Sequence, residues 1–137
     1  MQQNKLHCVI DAFAKIGDYY AKAAVHEAGH ALIMKRNGGR NVRCHVNLGG
    51  KRRGGSATCE GMRSMTPYRQ LQILAAGAAA EVVVRGQFEK PGLRADMSMA
   101  RGLGYTDDQF FDAVWEVVDG MTRDEIMSQV VGWRDYR

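Results

Sequence analysis

Apolar residues recur at helical spacing from the start of the chain, where Leu6, Ile10, Phe13 and Ile16 form a stripe that stops at Gly17. A second helix, capped by Asp18, is predicted to run to about Arg36, where Asn37-Gly38-Gly39 ends it. Over residues 42–48 apolar positions alternate with Arg43, His45 and Asn47, the period of a half-buried strand, and residues 56–60 supply its hairpin partner. Thr66 followed by Pro67 starts a third helix whose almost wholly apolar run over 71–84 closes at Gly86, so it belongs in the core. Residues 96–103 read as a short helix. The pairs Thr106/Gln109 and Thr122/Glu125 have capping-box spacing and open two more helices. The fold class is α+β, mostly helical, with one β-hairpin and a C-terminal helical part over 104–137.

Length and composition add limits to this pattern. A chain of 137 residues, 45% apolar and 25% charged, is an ordinary single globular domain over 1–137. No segment approaches the ~20 apolar residues of a membrane-spanning helix, and Lys5, Asp11 and Lys15 interrupt the N-terminal apolar positions as no secretory signal would. A cytoplasmic location without membrane contact is therefore expected. Cys8, Cys44 and Cys59 are odd in number and lack C-x-x-C spacing, which points to buried reduced thiols, not disulfides or a cysteine zinc site. The net charge of +4 is modest, and its densest cluster, Lys51-Arg52-Arg53, sits in a glycine-flanked loop without aromatics. That composition fits a solvated loop tip and argues against a nucleic-acid role.

The chemistry is concentrated in His26-Glu27-Ala28-Gly29-His30, an H-E-x-x-H pattern in the middle of a predicted helix. Residues four apart share one helix face, so both imidazoles can reach one ion while Glu27 reaches the water bound to it. Chance yields this spacing in on the order of one chain in two hundred of this composition. Gly29 costs roughly 1 kcal/mol against alanine inside a helix, which suggests close packing there. Zinc in a catalytic site takes three protein ligands and leaves the fourth position to water. Ile33 and Arg36 stand where an extended motif would place its glycine and third histidine, so the third ligand comes from a distant segment. The acids Glu81 and Asp96, near predicted helices, are the two candidates.

These residues carry a family resemblance. Ala24-Val25-His26-Glu27-Ala28-Gly29-His30-Ala31-Leu32 resembles the signature helix of the FtsH-type zinc peptidases, and Leu74-Ala75-Ala76-Gly77-Ala78-Ala79-Ala80-Glu81 resembles that family's L-A-G-R-A-A-E-E helix. The hairpin over 41–60 is similar to its strand pair, and Asp96-Met97-Ser98-Met99-Ala100 to its D-L-x-x-A segment. The resemblance runs in order over about 18–103; Ala78 and Val82 depart from the family's arginine and second glutamate, and the region after Leu103 has no clear counterpart. The resemblance implies a zincin-like fold, Zn2+ as cofactor, His26, His30 and Asp96 as metal ligands, Glu27 as catalytic base, and Glu81 as an orienting neighbour of the site.

The function expected from residues and resemblance together is that of a zinc-dependent endopeptidase acting on polypeptides. The family's membrane anchor and ATPase module have no counterpart in these residues, and Gly49-Gly50-Lys51-Arg52 lacks the spacing of a phosphate loop. Unstructured polypeptides, cleaved without ATP, are thus the expected substrates. A second copy of the chain, joined through the helices after Leu103, or a separate ATPase is the expected partner. The alternative is a catalytically idle, peptidase-like module that binds a peptide or a regulatory partner.

Overall fold

Two long helices rich in alanine form the frame. In the computed structural model, which describes residues 18–47, 54–88 and 90–134, they are α1, Asp18–Arg36, and α2, Pro67–Arg85. The stripe ending at Gly17, the thiol of Cys8 and the basic tip Lys51-Arg52-Arg53 lie outside the described residues. Between the two helices stand β1, Arg40–Asn47, and β2, Gly54–Glu60, paired antiparallel, followed by a short 3-10 turn, Met62–Ser64. Then come α3, Lys90–Gly102, α4, Asp107–Asp119, and α5, Arg123–Arg134. The described residues are thus mostly helical with one small two-stranded sheet, as the hydrophobic pattern predicts.

The ends of α2 form for the reasons its sequence states. The Thr66 side chain accepts from the Arg69 N–H at the N-cap, Pro67 occupies a position whose N–H would have no helical partner, and Gly86 closes the helix in the left-handed region at φ 80°. Both capping boxes are present: the Thr106 and Gln109 side chains each accept the other's backbone N–H, and so do those of Thr122 and Glu125.

One boundary differs from the expectation. The helix expected over 96–103 begins six residues earlier, at Lys90. Pro91 near its start costs little, because first-turn N–H groups lack helical acceptors anyway, and Leu93, Asp96 and Ala100 form one buried stripe along it. Asp96 therefore sits in mid-helix on the inner face, away from the helix terminus where a dipole alone would favour an acid.

The core lies where α1 and α2 cross. The hairpin covers α1, α3 and α4 cover α2, and α5 covers α1. Leu71, Ile73, Val25, Phe110, Val114 and Ile126 are its largest fully buried side chains. The crossing is close because Gly29 has no side chain: a Cβ there would meet the Ala76 carbonyl oxygen at 2.2 Å and the Ala80 Cβ at 2.6 Å. The helices after Leu103 direct Phe110, Ala113, Val114, Val117, Ile126 and Val130 into this core. Cys44 and Cys59 are thiols, as expected, but half-buried and not fully buried, because both lie on a two-stranded hairpin with one face only partly covered. No helix among the described residues is long and apolar enough to cross a membrane.

Candidate metal centre

Three helices bring the predicted residues to one point. His26, Glu27 and His30 project from the middle of α1, Glu81 from α2 and Asp96 from α3. His26 Nε2 lies 3.0 Å from Asp96 Oδ2 and 3.1 Å from His30 Nε2, and His30 Nε2 lies 3.2 Å from Asp96 Oδ2. Glu27 completes the group, its carboxylate and the two imidazoles offering ligand atoms within 4.8 Å of one another. Glu27, His30, Glu81 and Asp96 are all buried, and His26 nearly so.

The outer nitrogens of both rings are held by acceptors. His30 Nδ1 donates to the Ile73 carbonyl at 2.6 Å, and His26 Nδ1 donates to Glu81 Oε2 at 2.9 Å. A carbonyl oxygen can only accept, so the His30 proton sits on Nδ1 and its Nε2 presents a lone pair inward. Two Nε2 atoms and a carboxylate oxygen thus converge within about van der Waals contact, an arrangement that repels itself unless a positive charge lies among them. A proton on His26 can supply such a charge. Burial opposes it, but hydrogen bonds to Asp96 and Glu81 outweigh burial and push the imidazole up to about 10. Burial likewise opposes ionisation of Asp96, yet His26 and His30 hold its carboxyl down at about 2.

A zinc ion fits the same place by donor chemistry and by spacing. Two imidazoles and one carboxylate form a set used by catalytic zinc, and tetrahedral bonds of about 2.0–2.1 Å separate ligand atoms by about 3.3 Å. The observed edges of 3.0, 3.1 and 3.2 Å need to open only slightly. The carboxylate and carbonyl on the outer ring nitrogens are the partners that orient metal-bound histidines.

Two glycines that the motif does not contain shape the site. A Cβ on Gly77 of α2 would lie 2.5 Å from His26 Nε2 and 2.6 Å from His30 Nε2, so both rings rest directly on the helix backbone. A Cβ on Gly55 of β2 would lie 2.7 Å from Glu27 Oε2, which places the Glu27 carboxylate against the hairpin. Burial pushes the Glu27 carboxyl up from its ordinary value, against the lowering influence of His30 and His26. Sequence reasoning missed the Ile73 carbonyl and Gly55. A backbone acceptor leaves no mark in side-chain identity, whereas a glycine inside a strand signals a close approach.

Comparisons of the chain with family models, with curated proteins and with solved structures find no match.

Proposed function

We propose that the chain is a zinc metallopeptidase of zincin-like architecture, similar to the FtsH-type peptidases, which hydrolyses peptide bonds in unstructured polypeptides. The observation that carries this reading is the convergence of His26 Nε2, His30 Nε2 and Asp96 Oδ2 within 3.0–3.2 Å, with both outer ring nitrogens tied to acceptors. His26, His30 and Asp96 would hold the ion, and Glu81 and the Ile73 carbonyl would orient the two rings.

Bound zinc would supply a Lewis acid that lowers the pKa of water to about 7 and polarises a peptide carbonyl. Glu27, beside the two imidazoles, takes the proton of the attacking water. Its burial raises its basicity, which suits that task near neutral pH. Glu27 then delivers the proton to the leaving amine. Contact with Gly55 limits the directions in which the carboxylate can swing. The hairpin beside Glu27 provides edge strands along which an extended polypeptide can pair.

The test is Glu27→Gln. Zinc content should match the wild type while cleavage of denatured casein is abolished, because the amide cannot accept the water proton. Wild-type protein that binds one zinc per chain but cleaves no polypeptide would instead identify a peptide-binding module. Wild-type protein that takes up no zinc after reconstitution would remove the metal reading altogether.

A further inference from the structure

A second concave feature lies away from the metal centre, where the end of α1, the start of β1 and the start of α2 meet. It is an open surface pocket of about 280 Å³ lined by Asn37, Arg40, Gly61, Ser64, Thr66 and Arg69, among others. No acid is among its lining residues, whereas two arginines are. Glu60 pairs with Arg40 across the ladder but takes no part in the lining, and neither arginine forms an ion pair among the described residues. Arg40, Ser64, Thr66 and Arg69 are all exposed, so the feature is an open surface pocket with a positive lining that a solvated anion can reach.

Backbone geometry directs Arg40 to this side. Arg40 pairs with Glu60 and Arg43 with Thr58, so β1 spends one residue more than β2 over this stretch. That bulge reverses the face on which Arg40 would otherwise sit, and the residue after it, Asn41, takes the left-handed conformation at φ 51°. Asparagine adopts this conformation more readily than other non-glycine residues, so the bulge is accommodated locally. Beyond the hairpin, Gly61 turns at φ 90°, and a Cβ there would lie 4.0 Å from Arg40 Nη2, so the guanidinium rests over an open turn. The first turn of α2 opens onto the same cavity, but Thr66 already accepts the Arg69 N–H, so the guanidiniums carry the argument.

We propose that this cavity is an oxyanion-binding pocket in which Arg40 and Arg69 clasp a carboxylate or phosphate group. The planar guanidinium fork matches either group bidentately, and the Ser64 and Thr66 hydroxyls add donors at the rim. The hairpin joins the pocket to the site, since β2 passes Glu27 at Gly55 and ends at Glu60, next to Gly61. A polypeptide laid along this hairpin therefore reaches the pocket with a side-chain or terminal carboxylate, and free phosphate is the other source of the same chemistry.

The experiment measures binding and not turnover, so it stands or falls apart from the peptidase reading. The full chain is stripped of metal with a chelator, which removes any cation that could hold the probes elsewhere. It is titrated calorimetrically at low and high salt with inorganic phosphate, with an unstructured peptide bearing a free C-terminal carboxylate, and with the same peptide amidated. At least one oxyanion probe should bind, with salt-sensitive affinity that falls about tenfold or more in the Arg40→Gln/Arg69→Gln double variant. Arg94→Gln, which removes an exposed charge on α3, should leave that affinity unchanged. Preference for the acid over the amide identifies a polypeptide carboxylate, and binding of phosphate alone identifies a small anion. Absence of binding to the wild type, full affinity in a double variant with wild-type circular dichroism, or an equal loss in Arg94→Gln would overturn the proposal.

Discussion

Asp96 and Glu81 are both buried acids hydrogen-bonded to His26, yet their positions assign them different work. Asp96 faces the two inner nitrogens, whereas Glu81 faces the outer nitrogen of one ring. Asp96→Asn should therefore lose zinc and activity together, since a neutral amide is a poor ligand for the cation. Glu81→Gln should retain a site weakened about 10–100-fold, the usual cost of removing a partner that orients a ligand. Metal analysis of the two variants checks this, and zinc retained in Asp96→Asn but lost in Glu81→Gln would reverse the assignment. Protons enter the same balance. His26 is raised to about 10 in the metal-free fold, so at neutral pH it holds a proton that zinc must displace. Zinc affinity is accordingly expected to climb with pH through the neutral range, with proton release visible by calorimetry in buffers of different ionisation enthalpy. The metal-free fold should behave oppositely in alkali. The stability contributed by protonated His26 is complete below its unfolded value near 6.5 and is lost as pH rises through about 10. That of ionised Asp96 is present above its unfolded value of 3.8 and is lost as pH falls through about 2.

At the scale of elements, the crossing of α1 over α2 sets the spacing of the site, and glycines permit it. Alanine at position 29 would gain roughly 1 kcal/mol in helix propensity. Its methyl would stand 2.2 Å from the backbone oxygen of Ala76, which cannot yield as a flexible side chain would. Overpacking of this kind costs about 1–3 kcal/mol, so Gly29→Ala should be net destabilising, read as a lower urea midpoint. Gly77→Ala acts on the site itself. Its methyl would press on both imidazoles, so zinc affinity should fall more steeply than global stability. Equal zinc affinity in Gly77→Ala and wild type would show that the rings do not need the bare backbone. These elements were legible to different degrees. Periodicity and caps predicted both ends of α2 and the starts of α4 and α5, because these are written locally in Thr66, Gly86, Thr106 and Thr122. The start of α3 was not legible, because Pro91 and Gly92 read as breakers and only packing of Leu93 and Asp96 against the core decides otherwise.

For the molecule as a whole, the candidate site is buried among three helices and a hairpin. If the chain is a peptidase as proposed, burial of His30, Glu27 and Asp96 favours an extended, unstructured substrate over a folded one. The expected outcome is cleavage of denatured casein and survival of a stable folded protein under the same conditions, followed by gel analysis. Efficient digestion of the folded protein without ATP would count against the proposed preference for unstructured polypeptides.

The sequence by itself determined α1, α2, the starts of α4 and α5, the hairpin and the placing of His26 and His30 on one face, because helix periodicity and end signals act over a few residues and place residues four apart on one face. It narrowed the third ligand to two acids on its own, and a family resemblance chose between them. Tertiary structure decided the rest. Only the crossing of α1, α2 and α3 puts Asp96 Oδ2 at 3.0 and 3.2 Å from the inner nitrogens, ties the outer ones to Glu81 and Ile73, and sets Gly55 against Glu27. These relations join residues 28 to 70 positions apart in the chain, with Glu27 and Gly55 at the near end and His26 and Asp96 at the far end. Their geometry comes from how buried surfaces fit, and no local pattern records it.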